Sequence, residues 1–126
     1  MGWDRRTWMT LAAASGFAAV AIGAFAAHGV HDPRGQELLK TGATYQMTHA
    51  LATLACAGFM ALGAVRARHA AAFFLGGSVL FSGSLYAMAA GAPRWLGAVT
   101  PLGGLGFLIG WAILVWVARG IDQAGA

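Results

Sequence analysis

An all-α, integral-membrane four-helix bundle with antiparallel, up-down topology is predicted for this chain, and three features predict it. The charged side chains, eight basic and four acidic, are confined to short clusters. Between the clusters lie four charge-free runs, Thr7–Val30, Thr41–Val65, Ala70–Pro93 and Trp95–Ala118, each of 24 or 25 residues. About 20 helical residues at about 1.5 Å each already cross a hydrocarbon core of about 30 Å. The composition agrees: 59% of residues are hydrophobic, 10% are charged and the mean hydropathy is +0.67, whereas soluble domains carry about 25% charged residues. Four spans consume nearly all of the 126 residues, so residues 1–126 are expected to form a single transmembrane domain.

The first span is placed at residues 7–28. Arg5-Arg6 before it and Ala24-Phe25-Ala26 near its end resemble a signal peptide. The apolar run is longer than an h-region of roughly 7–15 residues, so a retained helix is expected. The longest loop follows, from His31 to Gly42. Within it Asp32 is a capping residue and Pro33 suits a first helical position, which predicts a short interfacial helix over 33–41 that Gly42 ends or bends. Span two is placed at 43–65, span three at 70–92 and span four at 95–118. The connections Arg66–His69 and Pro93–Arg94 are tight, which forces sequential neighbours into hairpins.

Five basic residues (Arg5, Arg6, Arg66, Arg68, Arg119) fall on one side of this arrangement and three (Arg34, Lys40, Arg94) on the other. The excess places both termini in the cytoplasm. The formal charge of +4 and pI of about 10.3 come from scattered residues with no basic stripe. They read as anchoring against the lipid bilayer and its anionic headgroups, with no nucleic acid as partner. Trp3, Trp8, Trp95 and Trp116 lie near span ends as interfacial anchors, and Trp111 lies deeper. Cys56 is alone and reads as a buried, inert thiol. Small residues four apart, at Ala19/Gly23/Ala27, Gly83/Ala87/Gly91 and Gly106/Gly110, suit close helix packing in lipid, within the bundle or against a second protomer.

The polar residues inside the spans carry whatever function the sequence reveals. With alternating helix directions, His28, Tyr45, Gln46, His49, Ser82, Tyr86 and Thr100 all fall in the outer half of the membrane. Ser78, Ser82 and Tyr86 climb one helix face, and Tyr45, Gln46 and His49 share another. An unpaired imidazole, amide or phenol costs several kcal/mol in hydrocarbon, order of magnitude, so such groups gather. One reading is a hydrogen-bonded clasp that keeps the helices in register. Another is a pocket for a small molecule, a lipid headgroup or a quinone, and a proton or ion relay is a third. His28 and His49 without cysteine or carboxylate neighbours make a poor metal or haem site, so neither metal nor cofactor is expected. Ser82 or Ser84 beside His49 lacks an orienting acid, so no enzyme is expected. His31 and His69 read as solvated loop residues.

These residues also carry a family likeness. Gly23-Ala24-Phe25-Ala26-Ala27-His28-Gly29, Thr41-Gly42 with Tyr45-Gln46-Met47 and His49-Ala50, Phe81-Ser82-Gly83-Ser84-Leu85-Tyr86, and Thr100-Pro101-Leu102-Gly103-Gly104 with Gly110-Trp111 resemble the transmembrane-protein-256-like family. The likeness runs over residues 8 to 118, with Ala26 standing where that family often has glycine. It implies a four-helix membrane protein, in bacteria a multi-pass protein of the inner membrane, and it supplies no activity. The expectation is therefore a structural or accessory subunit of a larger membrane complex, or a homo-oligomer. The alternative is a binding or transport module built on the outer polar residues.

Overall fold

The computed structural model describes residues 4–122. Four α-helices follow one another: α1 (Arg5–Gly29), α2 (Pro33–Ala61), α3 (Ala67–Ala89) and α4 (Thr100–Ala118), with a 3₁₀ turn over Arg94–Ala98 before the last. Asp4 caps α1, its Oδ1 accepting from the Thr7 N–H at 2.8 Å. That N–H holds the Asp4 carboxyl below its ordinary pKa range. Asp32 caps α2 in the same way through the Gly35 N–H, with Pro33 at the first helical position.

The short helix expected over 33–41 is not separate. It is the beginning of α2, which runs unbroken for 29 residues through Gly42. A helix-interior glycine costs only about 1 kcal/mol relative to alanine, and here it is required for another reason. A methyl at Gly42 would come within 2.5 Å of the Tyr86 ring. Gly42 is thus a packing residue, not a terminator. The second span also stops earlier than residue 65, because the chain turns at Gly63 with φ +99°. Span four, expected as continuous from 95, divides into the 3₁₀ turn and α4, with Pro101 in the first turn of α4. His69, expected in a loop, lies in the first turn of α3 and is exposed.

Among the described residues, three helical stretches are long and apolar enough to cross a membrane: Arg5–Gly29, Ala67–Ala89 and Arg94–Ala118. The longest helix, α2, does not meet that measure, because Arg34, Glu37 and Lys40 charge its first third and Tyr45, Gln46 and His49 follow.

Each helix packs mainly on its sequence neighbour: α1 on α2, α2 on α3 and α3 on α4, with α2 touching α4 over a smaller area. The register is carried by named contacts. The Gln36 amide donates to the Ala26 and Val30 carbonyls, and Gln46 reaches Ser15. Residue numbers thus fall along α1 as they rise along α2. Ser82 meets Gly42 across the next interface, and Ser84 meets Thr100 across the third.

The interior is made largely of alanine and glycine, with Phe74 the largest side chain fully enclosed. One core cluster joins Trp8, Cys56, Phe74, Leu114 and Val117. Trp8, expected as an interfacial anchor, is therefore a core residue at 4% exposure. Trp95 and Trp116 are exposed, and Trp3 lies outside the described residues. The outward surface is apolar, with Phe17 at 80% and Val79 and Val115 at 71% exposure. In lipid such side chains face a solvent as apolar as themselves.

Candidate functional site

Gln46 sits at the centre of the α1–α2–α3 contact. Its Nε2 donates to the Ser15 carbonyl at 3.0 Å and to Ser15 Oγ at 3.1 Å. Its Oε1 accepts from the Tyr86 hydroxyl at 2.6 Å. One amide therefore ties three helices. One turn back along α3, Ser82 donates to the Gly42 carbonyl at 2.7 Å. That bond is intelligible because α2 and α3 approach closely where Gly42 has no side chain.

A second set faces α4. His49 is buried, and its ring lies parallel to that of Phe107 with centroids 3.5 Å apart. Trp111 Nε1 donates to His49 Nε2 at 3.1 Å, and His49 Nδ1 lies 2.7 Å from the Tyr45 carbonyl. An indole N–H can only donate, so Nε2 must be the bare nitrogen and Nδ1 must carry the proton. The imidazole is neutral in this arrangement, and both nitrogens are engaged. It has no lone pair left to offer a metal.

A third contact joins α3 to α4. The Ser84 hydroxyl donates to the Phe81 carbonyl at 2.9 Å, which leaves its oxygen to accept from Thr100 Oγ1 at 2.5 Å.

Six of the seven residues singled out from the sequence are thus near one another, but they do not line one cavity. Gln46, Ser82 and Tyr86 border a groove with Ser15 and Ser78 between α1 and α3. Tyr45 and His49 border another groove with Phe81, Phe107 and Trp111 on the α4 side. Thr100 is bonded to Ser84 instead. His28 does not join them: it is exposed on the last turn of α1, and the residue of α1 that is bonded to the set is Ser15.

Ser15, Ser84 and Trp111 are the partners that the sequence pattern missed. Ser15 is a single hydroxyl among alanines and glycines, Ser84 stands two residues from Ser82, and their partners lie 31 and 16 residues away. Trp111 carried the available signal, being the one tryptophan placed deep in a span.

Comparison with known proteins finds relatives that are membrane proteins. Residues 22–104 match the family model described as "Protein of unknown function (DUF423)". A UPF0382 membrane protein of Haemophilus influenzae is 44% identical over 119 residues, covering 89% of this chain and 93% of that protein. The UPF0382 inner membrane protein YgdD of Escherichia coli K12 is 41% identical over 124 residues, covering 95% of each. A UPF0382 membrane protein of Staphylococcus epidermidis is 37% identical over 113 residues, covering 87% of this chain and 93% of that protein. No solved structure matches the chain significantly. These matches carry the resemblance at the level of the DUF423 and UPF0382 family, not at the finer transmembrane-protein-256-like name. With three membrane-capable helical stretches and inner-membrane relatives throughout its length, the chain is a multi-pass inner-membrane protein, and it belongs to the DUF423 family of membrane proteins of unknown function.

Proposed function

We propose that this protein is a non-enzymatic structural or accessory subunit of a larger inner-membrane assembly. In this reading all four helices cross the bilayer up and down, α2 included, and both termini are cytoplasmic. The likeness to transmembrane-protein-256-like proteins belongs to the same reading. One observation carries it: the polar side chains within the helices bond to one another and to neighbouring backbone, across each interface in turn. Groups arranged for chemistry would present a free base or nucleophile to a substrate. Here His49 has both nitrogens engaged, and Ser82 and Ser84 donate to carbonyls.

A face for a partner is supported by α3. Gly77 packs against α4, but a methyl at Gly76 or Gly83 would meet nothing within 4 Å. At those two positions a side chain would enter open space, and small residues on an outward face let another helix approach. The test is cross-linking in native membranes followed by gentle extraction. The expected result is a defined larger species that G83L disperses while the helix content stays unchanged. A solitary monomer in membranes and in mild detergent would overturn the proposal.

A second reading is favoured by the groove beside α4. Tyr45 is 45% exposed there, and among the described residues its hydroxyl has no hydrogen-bond partner. An aromatic groove with one available hydroxyl fits a flat, weakly polar ring such as a quinone headgroup. Co-purification of a quinone that Y45F abolishes would favour this reading over the first.

A further inference from the structure

The charged end of the molecule holds a built cleft that the clasp does not use. The turn after α2 and the last turn of α4 border an open space of ≈ 410 Å³. Its wall includes Arg66, Arg119, Trp116, Val65 and Gly63. The Arg66 guanidinium lies over the Trp116 ring, its Cζ 5.6 Å from the ring centroid. A cation–π contact of this kind positions the guanidinium while leaving N–H groups to donate. Among the described residues no carboxylate lines the cleft, and none pairs with either arginine.

The level of the cleft in the molecule decides its occupant. The apolar stretch ends at Ala118, so Arg119 and the Gly63–Arg66 turn lie where hydrocarbon gives way to headgroups. Val65 and Val117 add apolar side chains to the lining of the cleft. Two unpaired guanidinium groups above apolar side chains match a phosphodiester above acyl chains.

The geometry points to a specific anionic-lipid site: Arg66 and Arg119, with Trp116 orienting Arg66, hold the phosphate of one lipid headgroup such as phosphatidylglycerol or cardiolipin. This is distinct from the general attraction of eight basic residues to an anionic surface. It depends on two arginines and one ring, and it holds whichever side of the membrane this end occupies. It does not rest on the proposed subunit role.

The test is native mass spectrometry of the full chain in neutral detergent, titrated with phosphatidylglycerol, cardiolipin or phosphatidylcholine. One anionic lipid is expected to be retained. Its apparent affinity should fall about tenfold in R66Q and in R119Q, the size expected for losing a charge-assisted bond. It should change less than about twofold in R68Q and R94Q, which remove the same charge outside the cleft. R66K keeps the charge but loses the planar guanidinium fork and should fall between. Circular dichroism confirms that each variant is folded. Equal losses in all four glutamine variants would overturn the site in favour of diffuse attraction. Equal retention of phosphatidylcholine would overturn it as well. Displacement of the lipid by millimolar inorganic phosphate, with phosphate alone bound equally well, would assign the cleft to free phosphate and sink the lipid proposal.

Discussion

Trp111 donates its indole hydrogen to His49 Nε2, and this one bond fixes the imidazole in the Nδ1–H form. The consequence is that His49 is a neutral connector between α2 and α4. Nitrogen-15 spectra of histidine-labelled protein in detergent are expected to show one buried histidine in the Nδ1–H tautomer. In W111F the Nε2 loses its donor, and the spectrum should show mixed tautomers. A cationic His49 in the intact protein would refute this.

Gln46 and Tyr86 predict a measurable coupling. Q46A removes bonds to both α1 and α3, whereas Y86F removes only one. Interhelical hydrogen bonds in membrane proteins average about 0.6 kcal/mol, with a maximum near 1.7. The double-mutant cycle, read by reversible unfolding in mixed detergent, should give a coupling within about 0.5–2 kcal/mol. Additive single effects would show that the 2.6 Å contact contributes nothing to stability.

Two glycines predict effects of opposite sign. A methyl at Gly103 would collide with the α3 backbone at Phe81, whereas one at Gly83 meets open space. G103A should therefore destabilise by about 1–3 kcal/mol through overpacking. G83A should be neutral or stabilise by up to about 1 kcal/mol, since alanine is the better helix former. Thermal unfolding of the two variants side by side decides it, and similar losses in both would contradict the packing described.

Asp4 predicts the pH response of the α1 cap. Its folded pKa lies below the ordinary value of 3.8, because the charged carboxylate accepts from the Thr7 N–H. A depressed carboxyl pKa stabilises the folded state fully above the unfolded value, and that contribution disappears as pH falls through the folded value. The Thr7 amide resonance should titrate with a midpoint below 3.8, and in D4A it should not titrate. A midpoint at or above the ordinary value would show the cap to be absent in solution.

Much of the architecture was legible because lipid makes the sequence simple. Charged residues cannot be scattered through a hydrocarbon span, so the clusters at Arg5-Arg6, Arg66–Arg68 and Arg119 mark helix ends directly. Gly42 was misleading, since a glycine between a capped start and an apolar run looks like a terminator. Only the Tyr86 ring, 44 residues later, explains why it sits inside a helix. Trp8 misled in the same manner, because closeness to a span end does not reveal which way a side chain faces. The polar residues were identifiable as a group, since hydrogen bonding in lipid compels them to find partners. The pairings were not, because Gln46 with Ser15, or Ser84 with Thr100, depends on helix rotation, which a run of alanine and glycine leaves unmarked.

The packing of each helix on the one before it also sets a timetable. Contacts that join only consecutive helices are satisfied in the order in which a ribosome delivers them. Once α2 has left the ribosome, Gln46 can already reach Ser15; α3 then brings Tyr86 and Ser82, and α4 closes on Ser84 and His49. Of these bonds only that of His49 waits for a helix beyond the next, because Trp111 lies on α4. A nascent chain arrested after α3 should already hold its first three helices together, and the same chain carrying Q46A should not.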